Sequence, residues 1–195
     1  MPFPPMAETN PHFPENDIIF ADCKAHWAKE YILKLAGKGI VSGGADGNFD
    51  PDKEVTRAEF TKLVLKSCGL VGDSGEKAFS DVLPDTWYAP YVQTAYQNGI
   101  VSGYEDGSFR PGNPITREEM AKMLCAAADI LKISNGINAD ITFVDKKLIS
   151  DWAYLYVKKA YDLKLVEGDS ENCFNPHKNA TRAESAVVFC RLLNL

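Results

Sequence analysis

The sequence predicts an all-α, mainly helical fold made of three copies of one helix-loop-helix unit, and three observations support this. A spacing of 29 residues between a tryptophan and a threonine occurs three times without insertion: Trp27 to Thr56, Trp87 to Thr116 and Trp152 to Thr181. Apolar residues recur four, five, eight and nine positions after each tryptophan, which is helical rather than strand spacing. Each unit then reaches a Thr-Arg-x-Glu sequence, which is typical of a helix start. Self-similarity at a fixed spacing indicates a repeat architecture, so a function of the repeat should exist in up to three versions.

The first helix of each repeat is predicted to begin near the tryptophan. In the second repeat we place this start near Thr86, one residue before Trp87. Gly39 and Gly99 are expected to end the first helices of the first two repeats, because glycine readily adopts the left-handed conformation found after helix C-termini. Lys164 occupies the matching position in the third repeat, so that helix end is expected to differ.

A glycine-rich loop follows each first helix. Asp46-Gly47 and Asp106-Gly107 predict tight turns because both residue types tolerate positive φ, and Asn172 is the next best occupant in the third repeat. We expect the residues that follow to provide a hydrophobic plug and a rigid turn. In every repeat they are a phenylalanine and a proline: Phe49 and Pro51, Phe109 and Pro111, Phe174 and Pro176.

The second helix of each repeat is predicted to start at the threonine. A threonine followed three residues later by a glutamate is a capping box, in which each side chain accepts a hydrogen bond from the other residue's backbone N–H. Apolar runs follow all three capping boxes and make these the most apolar helices of the chain. We therefore expect the second helices to meet in the middle of the fold.

The chain divides into a leading segment, three repeats and two linkers rich in Gly, Ser, Asp and Asn. Repeats of this size bury too little surface to be stable alone, so we expect all three to pack as one domain. The predicted ranges are a flexible N-terminal segment at 1–17, repeats at 18–70, 79–128 and 143–194, and linkers at about 69–78 and 129–142.

Composition and charge exclude several classes of partner. The chain is 45% hydrophobic and 25% charged, which is ordinary for a soluble globular protein. Its net charge of -6 gives no global attraction to nucleic acid or to an anionic membrane, so local positive groups must hold any anionic ligand. No run approaches the roughly 18 apolar residues of a membrane span. The first 14 residues lack the basic and apolar regions of a signal peptide, so we expect that a leader was removed or that the chain belongs to a larger protein.

The cysteines and histidines do not form a metal or redox motif. The five cysteines include no CxxC pair, and Cys125 and Cys190 occupy the position of Leu65 in the first repeat, which predicts buried structural thiols. Calcium does not suit the Asp-Gly loop, because Ser42 and Gly44 stand where carboxylates are needed. The histidines fall at unrelated repeat positions: His12, His26 and His177.

The sequence also lacks the signs of catalysis. No serine or cysteine at a repeated position has a nearby base, so we predict that the chain is not an enzyme and needs no cofactor or metal.

The arginine of Thr-Arg-x-Glu is the leading candidate for ligand contact. It stands at the first helical position in every repeat, as Arg57, Arg117 and Arg182. A positive charge there is unfavourable by about 0.3–1 kcal/mol, because it lies at the positive end of the helix dipole. A helix N-terminus with free N–H groups and a guanidinium would bind an anion, and the planar guanidinium matches a carboxylate. The alternative is an internal ion pair with the aspartate that opens each repeat: Asp22, Asp81 and Asp145.

The three tryptophans allow two interpretations. Their helical spacing with other apolar residues favours a place in the core. Aromatic faces also stack on sugar rings, and a half-exposed tryptophan beside an arginine would form the wall of a sugar site. The residues concerned are Trp27, Trp87 and Trp152.

Together these motifs resemble the S-layer homology (SLH) domain. The resemblance is carried by an aspartate before Trp27-Ala28, by Gly-x-x-Asp-Gly-x-Phe-x-Pro in the loop and by Thr-Arg-Ala-Glu opening the second helix, and it covers about residues 18–194. Three such domains in tandem are similar to the SLH trimer found at the ends of bacterial cell-surface proteins. The resemblance implies a monomeric pseudo-threefold trimer with a central three-helix bundle and outer helix-loop prongs.

The resemblance also implies a function and a place in the cell. Grooves between neighbouring SLH prongs bind secondary cell-wall polysaccharide, commonly carrying pyruvylated N-acetylmannosamine, whose carboxylate would meet the arginines. The protein would be secreted and held at the cell wall or S-layer, without nucleic-acid binding or membrane insertion. Matching positions assign carbohydrate binding to Arg57, Arg117, Arg182, Asp22, Asp81, Asp145, Trp27, Trp87, Trp152, Ser42, Gly43, Ser102 and Gly103.

The third repeat departs from the family pattern. Glu167 replaces the loop serine, Asn172 replaces the glycine, and Asp145 stands seven residues before its tryptophan rather than five or six. A carboxylate beside an anionic ligand repels it, so we expect the groove built on Gly168 to be the weakest. Removal of Arg182, in the same repeat, should therefore not cause the largest loss of binding.

Two alternative functions remain open at this point. The chain would bind peptidoglycan itself, as some SLH proteins do, or it would be a protein–protein interaction scaffold in which the arginines only cap and pair.

Overall fold

The computed structural model describes residues 20–73, 75, 77–134 and 140–195, and within them the fold is all-α as predicted. The predicted flexible segment 1–17 lies outside the described residues. Short 3-10 helices at Ala21–Cys23 and Lys146–Leu148 precede the first and third repeats' helices. The α-helices are α1 (Lys29–Gly37), α2 (Arg57–Ser67), α3 (Ala89–Gln97), α4 (Arg117–Ile130), α5 (Tyr154–Asp162) and α6 (Arg182–Leu192).

The first helix of each repeat begins two residues after its tryptophan rather than beside it. In the second repeat α3 begins at Ala89, three residues later than predicted, because Thr86 donates its hydroxyl to the carbonyl of Leu83 and does not cap the helix. None of α1, α3 and α5 has a side-chain cap, so their starts lack the signal that marks the second helices, although α3 carries Pro90 in its first turn.

The predicted difference at the end of α5 is wrong. Lys164 adopts φ 58°, in the same left-handed region as Gly39 and Gly99, both at φ 68°. The next N–H then returns to the helix in all three repeats: Ile40 to Leu35, Ile100 to Ala95 and Leu165 to Ala160. The predicted turn glycines Gly47 and Gly107 also have positive φ, as does Asn172.

Capping boxes start α2, α4 and α6, which confirms the sequence prediction. In α2 the Thr56 hydroxyl accepts from the N–H of Glu59 and the Glu59 carboxylate accepts from the N–H of Thr56. The same pair of bonds occurs at Thr116 with Glu119 and at Thr181 with Glu184. Helix α4 extends to Ile130, into the segment predicted as a linker.

The helices pack between repeats in cyclic order. The first helix of one repeat lies against the second helix of the preceding one, so that α3 packs on α2, α5 on α4 and α1 on α6, while α2 also packs on α4 and α6. Two buried thiols lie across these pairs, since Cys125 donates to the carbonyl of Tyr156 and Cys190 to that of Tyr31. The prediction of structural core thiols at these two positions is confirmed.

A ring of three backbone hydrogen bonds joins the repeats just before their second helices. The N–H of Val55 donates to the carbonyl of Ala180, that of Ala180 to Ile115, and that of Ile115 back to Val55, at 3.0, 2.9 and 3.0 Å. Each repeat therefore donates to one neighbour and accepts from the other. The ring ties together the N-terminal ends of α2, α4 and α6.

Candidate functional site

Three surface clefts recur between the repeats, and all three repeats contribute to each. Every cleft combines the loop and second helix of one repeat with a tryptophan of the next repeat and the arginine of the preceding one. The first cleft contains the loop of repeat one together with Trp87 and Arg182. The second contains the loop of repeat two together with Trp152 and Arg57. The third contains the loop of repeat three together with Trp27 and Arg117. Their volumes are about 350, 670 and 230 Å³ respectively.

The arginine in each groove differs from the one that the sequence analysis assigned to it. The groove built on Gly168 is the third cleft, and it contains Arg117 of repeat two rather than Arg182 of its own repeat. The assumption that one repeat supplies both the loop and the arginine of a groove is therefore wrong, because the loops reach across to the helix start of the preceding repeat.

The tryptophans are wall residues of the clefts. Trp27, Trp87 and Trp152 are 63%, 52% and 49% exposed, so the interpretation that placed them in the core is wrong. They precede the helices by two residues and therefore do not follow the helical apolar stripe.

Each arginine is anchored to the phenylalanine of the following repeat. Its Nε donates to the phenylalanine carbonyl, and its guanidinium lies over the same aromatic ring. The Nε–O distances are 2.9 Å for Arg57 to Phe109, 2.6 Å for Arg117 to Phe174 and 2.7 Å for Arg182 to Phe49. The corresponding distances from Cζ to the ring centroid are 4.8, 5.1 and 4.4 Å. The phenylalanines are buried, as predicted for a plug.

The opening aspartates hold the loop backbone instead of pairing with the arginines. Asp81 accepts hydrogen bonds from the N–H groups of Phe109 and Arg110, both at 2.7 Å. Asp22 does the same for Phe49 and Asp50, and Asp145 for Phe174 and Asn175. Desolvation opposes ionisation of Asp22, but these hydrogen bonds outweigh it and lower the pKa of that carboxyl.

Two of the three arginines pair instead with the glutamate of the next repeat's capping box. Arg57 Nη1 lies 2.9 Å from Glu119, and Arg117 Nη1 lies 3.9 Å from Glu184. Within the described residues, no carboxylate lies within 4.0 Å of the Arg182 guanidinium. The alternative of an aspartate–arginine ion pair is therefore wrong. In each cleft the aspartate accepts from the N–H of a phenylalanine, and the arginine donates to the carbonyl of the same residue.

The helix N-termini do not offer free N–H groups to a ligand. The N–H groups of Arg57 and Ala58 donate to the carbonyls of Asn113 and Pro111 in the next repeat, at 2.9 and 3.1 Å. Equivalent bonds occupy the starts of the other two second helices: Arg117 to Lys178, Glu118 to Pro176, Arg182 to Lys53 and Ala183 to Pro51. The expected helix-terminus anion site is wrong for these amides, and the guanidinium is the group left to meet an anion.

The predicted loop serines and glycines line the clefts but act in different ways. The carbonyl of Ser42 accepts from Arg182 Nη2 at 3.2 Å, whereas the hydroxyl of Ser102 accepts from Lys122. Gly43 and Gly103 are required by packing, because a Cβ there would lie 2.6 and 2.5 Å from a phenylalanine ring.

Sequence reasoning missed two lysines that face the tryptophans. Lys62 Nζ lies 5.4 Å from the Trp87 ring, and Lys122 Nζ lies 5.9 Å from the Trp152 ring. Desolvation and the charge of Arg57 lower the pKa of Lys122. Both lysines stand six residues after the repeat threonine, in otherwise apolar runs. A charged residue at the same position in two repeats was the sequence pattern that could have identified them.

The third cleft differs in its charged groups. Val187 takes the place of the lysine, and Glu167 accepts from Arg191 at 2.6 Å. The carbonyl of Glu167, like that of Ser42, accepts from an arginine, here Arg117. The Arg191 contact offsets part of the repulsion expected from the Glu167 carboxylate.

The described residues contain neither a membrane-spanning helix nor a metal-binding cluster. None of their helices combines the length and apolarity needed to cross a membrane. No group of three or more His, Cys, Asp or Glu side chains among them is arranged to hold a metal ion.

The three repeats match a known protein family. A family model described as the S-layer homology domain matches residues 19–61, 78–121 and 142–186. The chain belongs to the S-layer homology family. The three matches confirm the tandem SLH repeats that the motifs indicated, and each match spans one loop, one arginine and one tryptophan of the clefts.

Similar proteins include surface-layer proteins and carbohydrate-active enzymes. The chain is 42% identical to an amylopullulanase of Thermoanaerobacterium thermosulfurigenes over 92% of its own length and 10% of that protein. It is 32% identical to a surface-layer 125 kDa protein of Lysinibacillus sphaericus, over 86% of this chain and 14% of that protein. It is 31% identical to an S-layer protein of Bacillus anthracis, over 96% of this chain and 22% of that protein.

The chain thus spans about a tenth to a fifth of the length of these curated relatives. Enzymes and surface-layer proteins share this SLH segment, which indicates a non-catalytic anchoring domain. The SLH repeats place the chain at the bacterial cell surface, where such repeats anchor proteins to the cell wall.

Proposed function

We propose that these SLH repeats anchor a surface protein by binding secondary cell-wall polysaccharide, with a pyruvylated amino sugar seated in the inter-repeat clefts. The observation that carries the proposal is that every cleft brings together an exposed tryptophan and an arginine from different repeats. An aromatic face suits a sugar ring, and a guanidinium suits a carboxylate.

The first cleft has the most suitable arrangement. Arg182 is fixed through its Nε and one Nη to the carbonyls of Phe49 and Ser42, and within the described residues it has no carboxylate partner. The fixed guanidinium would meet the ketal carboxylate without first losing its own mobility, which favours binding. Trp87 would stack on the sugar ring, and Lys62 would add a positive charge beside it.

The remaining predicted residues have supporting roles in this proposal. Asp22, Asp81 and Asp145 hold the loops that present the phenylalanine carbonyls to the arginines. The glycines Gly43 and Gly103 let the loops pack closely, and Ser42 and Ser102 contact the cationic side chains. We also propose that the chain acts as a monomeric pseudo-trimer, without nucleic-acid binding or membrane insertion.

Calorimetry with a synthetic pyruvylated amino sugar and its non-pyruvylated twin tests the function. We expect binding to the pyruvylated sugar and at least tenfold weaker binding to its twin, because the twin lacks the carboxylate. Lys147 is exposed and lines none of the three clefts. Lys147→Ala is therefore the matched control for the arginine-to-alanine variants, because it also removes one positive charge. Equal binding of both sugars would contradict the role given to the arginines.

Pull-down experiments separate the alternatives. Binding to purified peptidoglycan stripped of secondary polymer would favour direct peptidoglycan attachment. Failure to bind any wall fraction would favour a protein–protein scaffold in which the arginines serve only the contacts to phenylalanine and glutamate.

We further propose that the third cleft binds more weakly than the first. It is the smaller of the two, its helix carries Val187 in place of a lysine, and Glu167 adds a carboxylate. Arg117→Ala should therefore reduce binding of the pyruvylated sugar less than Arg182→Ala does. The opposite order in calorimetric titrations would refute this ranking.

A further inference from the structure

One loop position differs among the repeats in side chain but not in backbone hydrogen bonding. Gly44, Tyr104 and Asp169 occupy it, and each donates its N–H to the carbonyl four residues later, at 2.8, 2.8 and 3.0 Å. The side chain at this position is therefore one difference between the first cleft and the second that leaves the loop backbone unchanged.

Tyr104 covers the arginine of the second cleft. Its ring centroid lies 4.8 Å from the guanidinium carbon of Arg57 and 3.9 Å from that of Arg110. Arg57 also lies over the ring of Phe109 and is only 4% exposed. In the first cleft Gly44 has no side chain to cover Arg182, so the two arginines differ in their access to a ligand.

An internal carboxylate also binds Arg57. Glu119 lies 2.9 Å from Arg57 Nη1, and the same oxygen accepts the Tyr104 hydroxyl at 2.5 Å. Desolvation and the hydrogen bond to Glu119 raise the pKa of Tyr104 to about 12, so the phenol stays protonated and keeps donating even well above neutral pH. The corresponding Glu59 in the first cleft lies beyond 4.0 Å from Arg182.

We propose that Tyr104 closes the Arg57 site of the second cleft to acidic sugars, whereas Gly44 leaves the Arg182 site of the first cleft open to them. This inference rests on the proposed function, since it assigns the pyruvyl carboxylate to one cleft. The phenol covers Arg57 and, through its hydrogen bond to Glu119, holds that carboxylate against the guanidinium, so Tyr104 keeps both the place and the charge of an incoming carboxylate occupied.

Opening the second cleft in a protein whose first cleft is disabled tests the inference. Calorimetry with the pyruvylated amino sugar should show a loss of at least tenfold for Arg182→Ala. Adding Tyr104→Gly to that variant should restore at least tenfold, and adding Arg57→Ala as well should abolish the gain. Tyr104→Ala is the second opening variant, because it removes the ring but avoids the added backbone freedom of glycine. Tyr104→Phe, which keeps the ring over Arg57, should not restore binding.

The reciprocal change closes the first cleft. Gly44→Tyr should reduce binding at least tenfold, and Gly44→Ala should reduce it less, because only the tyrosine reaches the arginine. A Cβ at Gly44 would lie 2.9 Å from Asp46 Oδ1, which accepts from the N–H of Asn48 and would have to shift. Tyr104 occupies the same position in repeat two with the same backbone hydrogen bond, so both variants should fold. Far-ultraviolet circular dichroism and thermal unfolding check this.

The outcomes separate the inference from the function on which it rests. If the unmodified chain does not distinguish the pyruvylated sugar from its twin, the proposed function fails and the inference with it. If it does distinguish them, but Gly44→Tyr binds like Gly44→Ala and neither opening variant restores binding, the function stands and the role of Tyr104 is refuted.

Discussion

The repeated arginine makes two kinds of contact, one to a backbone carbonyl and one to glutamates. Its Nε holds the carbonyl of the next repeat's phenylalanine, so an alanine at Arg182 leaves the carbonyl of Phe49 without that donor. The distance from its Nη1 to a glutamate carboxylate differs among the clefts, being 2.9 Å for Arg57 and 3.9 Å for Arg117. A residue placed against the helix dipole is thus justified both by inter-repeat packing and by the proposed ligand.

At the residue scale, substitutions of Lys62 test whether the positive charge beside Trp87 contributes to sugar binding. Lys62→Ala should weaken binding of the pyruvylated sugar several-fold and make it less sensitive to salt, because one cation leaves the first cleft. Lys62→Arg should retain most of the binding. Calorimetric titrations at low and high ionic strength measure both effects, and an unchanged affinity for Lys62→Ala would show that the lysine serves only the Trp87 ring.

Asp106 gives a pH-dependent prediction. Hydrogen bonds from Ser108 and Arg110 lower its pKa to about 2, below the unfolded value of about 3.9. A lowered folded-state pKa stabilises the fold above the unfolded value, and this contribution is lost as pH falls from about 3.9 through about 2. The difference in melting temperature between the native chain and Asp106→Asn should therefore be present at pH 6 and shrink toward pH 2. A constant difference over that range would contradict this account.

Single residues also show the limits of sequence reasoning. The arginines, aspartates and tryptophans were found because they recur, but their partners could not be read from spacing. Exposure of Trp87 and the carbonyl contact of Arg182 depend on how neighbouring repeats close on each other, and this information lies in packing rather than in local pattern.

At the element scale, the second helices were the most predictable part of the chain. Their capping boxes are local, so four residues of sequence suffice to mark each start. The first helices lack side-chain caps, and their starts were misplaced by up to three residues. Lys164 shows a related limit, because a residue other than glycine adopts the left-handed conformation there and the same local hydrogen bonds close the helix as in the other two repeats.

The capping box of α4 offers a stability test. Thr116→Ala removes the acceptor for the N–H of Glu119 and should lower the free energy of unfolding by about 1 kcal/mol. Thr116→Ser keeps an equivalent hydroxyl and should lose less. Urea unfolding followed by circular dichroism measures the difference, and equal losses for both variants would contradict the capping role.

At the scale of the whole molecule, the cyclic contacts make the repeats mutually dependent. Each first helix packs on another repeat's second helix, and the ring through Val55, Ile115 and Ala180 includes all three repeats. We propose that repeats 18–70, 79–128 and 143–194 unfold as one cooperative unit, in contrast to linear repeat arrays that lose their ends first.

Deletion of residues 143–194 tests this cooperativity. The truncated chain would lack Arg182 in the first cleft and Trp152 in the second, and α1 would lose its partner α6. We expect no cooperative thermal transition and no sugar binding, whereas the intact chain should give one transition by scanning calorimetry. A truncated protein that melts cooperatively would show that two repeats suffice for a stable fold.

The sharing of each cleft among three repeats also bears on how binding preference can diverge. Exchanging one repeat for a foreign copy would alter the loop of one cleft, the wall of another and the cation of the third. A recipient protein could not acquire a single cleft by grafting one contiguous stretch of gene. New specificity would instead arise most simply from point changes at loop tips, where one side chain affects one cleft and leaves its neighbours intact.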